Sequence, residues 1–235
     1  AGKLEPGETM LSKSFIRNWF PRQRWRPFKR EDGTMAYSVW ANPYPHLWNV
    51  INVVSVTPEG TRGEAKQMLD AGRVEDAASF LERALPPPDD VGFRLFTNGH
   101  YSGYSFDHLH NQGFHRKTSL EKAAAGQYDK LDHLATDGSG ARYYSLKEGA
   151  YLMPSVIIVE GKDRQAVSRG VEKVLREADP DLALKRDSKF TYIMLHTLDG
   201  NTYRHFIVTM HLVPSAFKDP DSYIEQDIVV YSNRP

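Results

Sequence analysis

Apolar residues along this chain fall into short β-branched runs separated by stretches of helical spacing, and the same order of segments occurs twice. Val50 to Val56 (VINVVSV) is short, β-branched and bounded by Pro58 and Gly60, which predicts a buried strand. Residues 62 to 85 have helical character, with Gly72 predicted to divide them into two helices and the prolines at 86 to 88 to end the second. Phe93 to Thr97 predicts the next strand. The glycine-containing segment NGHYSG at 98 to 103 predicts a turn, and Ser105 to Phe114 a further extended run. Helical signals resume where Thr118 and Glu121 have capping-box spacing before an alanine-rich turn.

The second half repeats the series. Pro154 to Glu160 (PSVIIVE) predicts a strand, and Asp163 caps a helix whose Val167, Val171, Val174, Leu175 and Ala178 share one face. Lys189 to Thr197 and Tyr203 to Val213 predict two strands joined by hairpin chemistry at Leu198-Asp199-Gly200-Asn201. The Asp-Gly pair favours an antiparallel connection. Together these features predict an α+β fold, a mainly antiparallel sheet with helices packed on it, built from two similar halves. The expected division is an N-terminal arm at 1–40, a first half at 41–137 and a second half at 138–235, packed as one globular unit.

Composition narrows the chemistry. Lys plus Arg and Asp plus Glu both number 30, so the formal charge of zero supplies no long-range attraction to nucleic acid or to a membrane surface. With no cysteine, thiolate ligands, disulfides and a Cys nucleophile are excluded. No apolar run approaches the roughly 20 residues of a membrane span, and AGKLEPGETM lacks the apolar core of a secretory signal. A soluble, cytoplasmic protein is the expectation. In the arm, FIRNWFPRQRWRPFKR interleaves aromatic residues with cations. Such cations commonly lie over a neighbouring apolar surface, but Arg22, Arg24 and Arg26 are also candidate contacts for the nucleotide side of a ligand.

The candidate chemistry lies in the run to Phe114. Strand alternation puts Phe106, His108, His110, Gln112 and Phe114 on one face and Asp107, Leu109, Asn111 and Gly113 on the other. Successive residues of one face are spaced about 6.6 to 6.8 Å apart, so one small anionic group can lie across the polar trio. Flanking phenylalanines favour the neutral, nucleophilic imidazole. The preceding turn holds His100, Ser102, Gly103 and Ser105, and its glycines let backbone N–H groups approach phosphate oxygens.

This pattern resembles the histidine-triad superfamily. Within it, His-x-His-x-Gln is similar to the branch of galactose-1-phosphate uridylyltransferase, diadenosine polyphosphate phosphorylase and GDP-L-galactose phosphorylase. The resemblance runs through FRLFTNGHYSGYSFDHLHNQ and, more loosely, ANPYPHLWNVINVVSV. It implies two histidine-triad-like halves and a nucleotidyltransferase or phosphorylase acting on a nucleoside diphosphate sugar or related nucleotide. His110 would attack the α-phosphorus, Gln112 would bond the phosphoryl oxygens of a nucleotidyl-histidine, and His108 would support the site. Asn98 and Ser105 would be phosphate contacts, and His100 belongs to the same turn. Water, phosphate or a sugar phosphate would be the acceptor, water making the reaction a hydrolysis. The resemblance also implies a site near a dimer interface. No cofactor and no metal are expected. Where the family's first strand begins with Gly-His, this chain has Trp48-Asn49, so any role of that histidine is lost or moved.

Two other readings remain open from the residues alone. His108 and His110 with a distant His or carboxylate would make a metal-dependent enzyme, and the same turn and strand would serve a nucleotide-binding module without catalysis. His196, His205 and His211 carry no motif and are read as core or surface histidines.

Overall fold

The computed structural model of the protein describes residues 26–41, 51–56, 70–83, 93–98, 110–124, 131–147, 156–178 and 190–211. Among the described residues ten strands form one antiparallel sheet. In chain order they are β1 (Arg26–Lys29), β2 (Met35–Ala41), β3 (Ile51–Ser55), β4 (Arg94–Asn98), β5 (His110–Phe114), β6 (Leu131–Thr136), β7 (Arg142–Leu146), β8 (Val156–Gly161), β9 (Phe190–Asp199) and β10 (Thr202–His211). Among the described residues three helices accompany them: α1 (Ala71–Arg83), α2 (Ser119–Ala124) and α3 (Arg164–Ala178). The architecture is α+β.

Across the sheet the strands run β1-β2-β3-β5-β4-β9-β10-β8-β7-β6. From the β4–β9 junction outward, each side repeats hairpin, strand, helix, strand, strand in the same spatial arrangement. The registers give the repeat an axis through the Phe96–Leu195 pair, about which Thr97 exchanges with His196, Asn111 with His205, and Val53 with Val159. The antiparallel pairing of β4 with β9 fuses the two halves into one sheet.

Local sequence explains the helix boundaries. Asp70 caps α1, its Oδ1 accepting from the Arg73 N–H at 2.9 Å, and Asp163 caps α3 by accepting from the Ala166 N–H at 2.7 Å. Gly72 therefore lies inside the first turn of α1, and residues 62–69, where the other expected helix falls, lie outside the described residues. In that first turn the backbone N–H groups have no intrahelical partner in any case. The expected capping box forms at α2, where the Glu121 carboxylate accepts from the Thr118 N–H at 2.8 Å and the Glu121 N–H donates to Thr118 Oγ1 at 3.2 Å. The same carboxylate holds the fully buried Arg94 of β4, with Nε at 2.9 Å and Nη2 at 2.8 Å from Oε1. This fastens α2 to the sheet.

α1 and α3 pack side by side on one face. Val74 and Ala78 of α1 and Val167, Val171 and Leu175 of α3 meet Val159, Tyr192, Met194 and Ile207 of the sheet. Each such aliphatic side chain contributes about 1.5 to 3 kcal/mol when fully buried. Glu172 of α3 accepts from the Ala71 N–H at 2.7 Å, so a side chain of the second half satisfies the start of the first-half helix. On the opposite face α2 sets Leu120 and Ala124 among Phe114, Leu195, Phe206 and Val208. The β9–β10 hairpin turns where expected, with Gly200 at φ 60°.

Two hairpins add strands that the chain pattern did not foretell. β1 and β2 extend the sheet beyond β3, turning through Gly33 at φ 84°. β6 and β7 occupy the other edge, and apart from half-buried Leu131 every residue of β6 is exposed, which removes the apolar alternation that marks a strand.

Gly113 of β5 faces the helices and has no room for a side chain. A Cβ there would lie 2.9 Å from Ile51 Cγ1 and closer still to the Phe93 ring. Gly113→Ala is expected to cost about 1 to 3 kcal/mol by overpacking, read as a lower urea midpoint with unchanged slope.

Candidate active site

β5 is the centre of the site because its two faces meet different surroundings. Asn111 and Gly113 turn under the helices, whereas His110, Gln112 and Phe114 turn to the other side. His110 and Gln112 are half-buried and Phe114 is buried. β3 sets Val54 opposite His110 and Asn52 opposite Gln112, and β4 sets Phe96 opposite Gln112. Asn98 follows Thr97, the partner of Asn111, and by strand alternation shares the face of Phe96 at the end of β4 nearest His110. Directly opposed Cβ atoms of such pairs are about 4.5 to 5.5 Å apart. His110, Gln112, Asn98 and Asn52 thus form a two-by-three patch with Val54 and Phe96, a polar cluster against an apolar wall.

Of the residues singled out from the sequence, the structure brings His110, Gln112 and Asn98 together. Asn98 ends β4 instead of opening the turn, and is buried. Arg26 belongs to β1, which is separated from β5 by β2 and β3. His108, His100, Ser102, Gly103, Ser105, Arg22 and Arg24 lie outside the described residues, as do Trp48 and Asn49. Asn52 was missed. Its signal was a lone amide inside an apolar run, but its partner could not be known before the β3–β5 register was.

Among the described residues the second half has no equivalent patch. The axis that relates the halves sends His110 to Arg204, Gln112 to Phe206, Asn52 to Ile158 and Asn98 to Thr197. Arg204 donates from Nε to Glu160 at 2.8 Å, and Phe206 and Ile158 belong to the apolar cluster over α2. Among the described residues the polar patch therefore belongs to the first half.

Beneath β5, on the helix-covered face, a polar row crosses the junction. The Thr97 hydroxyl donates to Asn111 Oδ1 at 2.5 Å, Thr97 Oγ1 lies 2.8 Å from His196 Nε2, and His196 Nδ1 lies 2.7 Å from His205 Nδ1. The Asn111 side chain also bonds the Tyr37 hydroxyl, which donates to the Arg73 carbonyl at 3.3 Å. Thr97, His196, His205 and Tyr37 are completely buried. Burial lowers the His205 imidazole to about 3 and, with the charge His205 would carry, holds His196 well below its ordinary 6.5. Desolvation raises the Tyr37 hydroxyl above its usual range. The expectation of core histidines holds for His196 and His205. Among the described residues no group of three or more His, Asp or Glu side chains is placed to hold a metal ion, and no helix is long and apolar enough to cross a membrane.

No known family profile matches the chain, and no curated protein sequence matches it either. Solved structures do. A DUF4931 family protein from Bacillus cereus is 11% identical with a TM-score of 0.52, covering 80% of this chain and 88% of that one. Yeast Ap4A phosphorylase is 12% identical with a TM-score of 0.50, covering 88% and 81%. An ADP-glucose phosphorylase from Arabidopsis thaliana, solved with bound ADP-glucose, is 12% identical with a TM-score of 0.51, covering 88% and 82%. The chain shares its fold with these proteins.

The buried histidines set a pH dependence. Their folded-state values lie below the unfolded one, so the unfolded chain binds the extra protons as pH falls. Their contribution to stability is complete above pH 6.5 and is lost as the pH falls from 6.5 towards 3. Each histidine adds a slope approaching about 1.4 kcal/mol per pH unit at the acid end of that window. Urea unfolding at pH 7.5, 6 and 5 is expected to show a falling free energy, and a flat profile would contradict neutral burial.

Proposed function

We propose, on the premise of this fold, that the chain is a nucleotidyltransferase or phosphorylase that cleaves a nucleoside diphosphate sugar or a related nucleotide through a nucleotidyl-His110 intermediate. The observation that carries the reading is the shared face of His110 and Gln112 on β5, with Asn98 and Asn52 beside them. It sits in a fold held in common with phosphorylases of Ap4A and ADP-glucose.

In the first step an imidazole nitrogen of His110 attacks the α-phosphorus with its lone pair. The bond from that phosphorus to the bridging oxygen breaks, and the distal phosphate or sugar phosphate leaves with the electron pair. Covalent catalysis is apt because the overall exchange sets one anion against another, and the adduct splits it into two steps in which a neutral imidazole is first the nucleophile and then the leaving group. In the second step an oxygen of the acceptor attacks the same phosphorus, the P–N bond breaks and His110 regains its lone pair. Gln112 stabilises both passages by donating its amide N–H to a non-bridging oxygen as charge builds there. Asn52 and Asn98, on either side of the His110–Gln112 pair, supply further amide donors. His108 supports the nucleophile, and the turn at Ser102, Gly103 and Ser105 with His100 cradles the remaining phosphate oxygens. Orthophosphate as acceptor makes the enzyme a phosphorylase, a sugar phosphate makes it a transferase, and water a hydrolase.

The test is turnover of a panel of α-labelled ADP-, GDP- and UDP-sugars and dinucleoside polyphosphates, with and without orthophosphate. His110→Ala is expected to abolish product formation. Gln112→Ala is expected to lower kcat by about 10²-fold, the usual effect of removing one donor to a developing oxyanion. Full turnover by His110→Ala would remove the nucleophile from this account.

A further inference from the structure

The polar row beneath β5 serves no step of the proposed reaction, yet it inserts hydrogen-bonding groups into the buried interior. Apolar side chains would fill that space without the desolvation cost of buried polar atoms. The registers of β3 and β8 show the contrast, since Val53 and Val159 flank the row at equivalent places.

Donor and acceptor chemistry fixes the direction of the row. Asn111 Oδ1 can only accept, so the single hydroxyl hydrogen of Thr97 goes to it. Thr97 Oγ1 is then left to accept from the Nε2–H of His196. A neutral His196 protonated on Nε2 has a bare Nδ1, so the contact between the two rings requires His205 to donate from Nδ1. Donors thus point one way, from His205 through His196 and Thr97 to Asn111, whose amide N–H groups face the Tyr37 hydroxyl. The amide at one end does not pass a proton onward as a hydroxyl does. The row is a strut of fixed polarity, not a proton wire.

We propose that this strut is a positioning device for the site: Thr97, His196 and His205 clamp the side chain of Asn111, the residue between His110 and Gln112, and so set the catalytic face of β5 from the second half of the molecule. The proposal rests on the reading of β5 as the catalytic strand. A slip of one residue would turn His110 and Gln112 under the helices, because strand side chains alternate with period two. The strut opposes both that slip and smaller tilts of the strand. It also gives the second half, which has no catalytic patch among its described residues, a part in the reaction.

Thr97 provides the discriminating variants. Thr97→Val keeps the shape and deletes both hydroxyl bonds, whereas Thr97→Ser keeps the bonds and leaves a methyl-sized gap. If the strut positions the site, Thr97→Val lowers kcat by about tenfold or more with KM little changed, since misplacement by ~1 Å can cost about 10²-fold. Thr97→Ser then stays near the unmodified rate. If the residue only packs, Ser falls at least as far as Val, and the proposal fails.

Side-chain NMR gives a readout that needs no turnover. In the unmodified protein His196 is expected as the Nε2–H tautomer and His205 as the Nδ1–H tautomer, and the opposite assignment would overturn the strut. Thr97→Val is expected to shift the ring signals of His110, while Thr97→Ser leaves them in place. Unmoved His110 signals in Thr97→Val would also overturn it. Shifted signals without turnover of any nucleotide would sustain the coupling and reject only the proposed reaction. Should Thr97→Val not fold, the tautomers and the Thr97→Ser comparison decide.

Discussion

The register of β5 between β3 and β4 is the constraint on which the site depends. Val54 and Asn52 on one side and Phe96 on the other fix which residues of β5 look towards the helices and which look away. Gly113 reinforces the choice, because a strand turned over would have to place a larger side chain against Phe93 and Ile51. With the register held, His110 and Gln112 share a face with two further amides. The same register buries Asn111 at the end of a hydrogen-bonded row reaching to β10.

The repeated halves divide the labour. Their common architecture lets β4 and β9 pair across the axis and produces one continuous sheet in which neither half has to leave its inner edge open. At equivalent positions the first half carries His110, Gln112 and Asn52 while the second carries Arg204, Phe206 and Ile158. At these positions one half carries a polar patch, and the other supplies apolar side chains and the two buried histidines. The ionic contacts follow the same logic. The buried Arg94–Glu121 pair fastens α2 beside the site, and Glu172 links the start of α1 to α3.

Much of this was legible in the chain because the relevant signals are local. Asp163 before the helix face of Val167, Val171 and Leu175, the Thr118–Glu121 box and the Asp199-Gly200 turn each depend on bonds within a few residues, and each forms as the pattern indicates. So does the alternation that separates His110 and Gln112 from Asn111. What was hidden depends on pairing. Asn52 gains meaning only opposite Gln112, and His196 and His205 are core residues whose roles appear only when β9 is placed beside β4. Gly72 falls in the first turn of α1 because Asp70 caps that helix, a detail that depends on which of the polar residues near it acts as the cap. β6 was invisible because nearly all its side chains face water.

The central claim is that phosphorus becomes bonded to His110, and site-resolved detection of that bond tests it most directly. After brief mixing with a turned-over nucleotide at alkaline pH and rapid quenching, tandem mass spectrometry of the proteolysed protein is expected to find one nucleoside monophosphate on the peptide spanning His110. The mass increment should sit on His110 itself, with the acid lability of a phosphoramidate. An adduct on another residue, or efficient turnover with no adduct under conditions where the first step is faster than the second, would contradict the account.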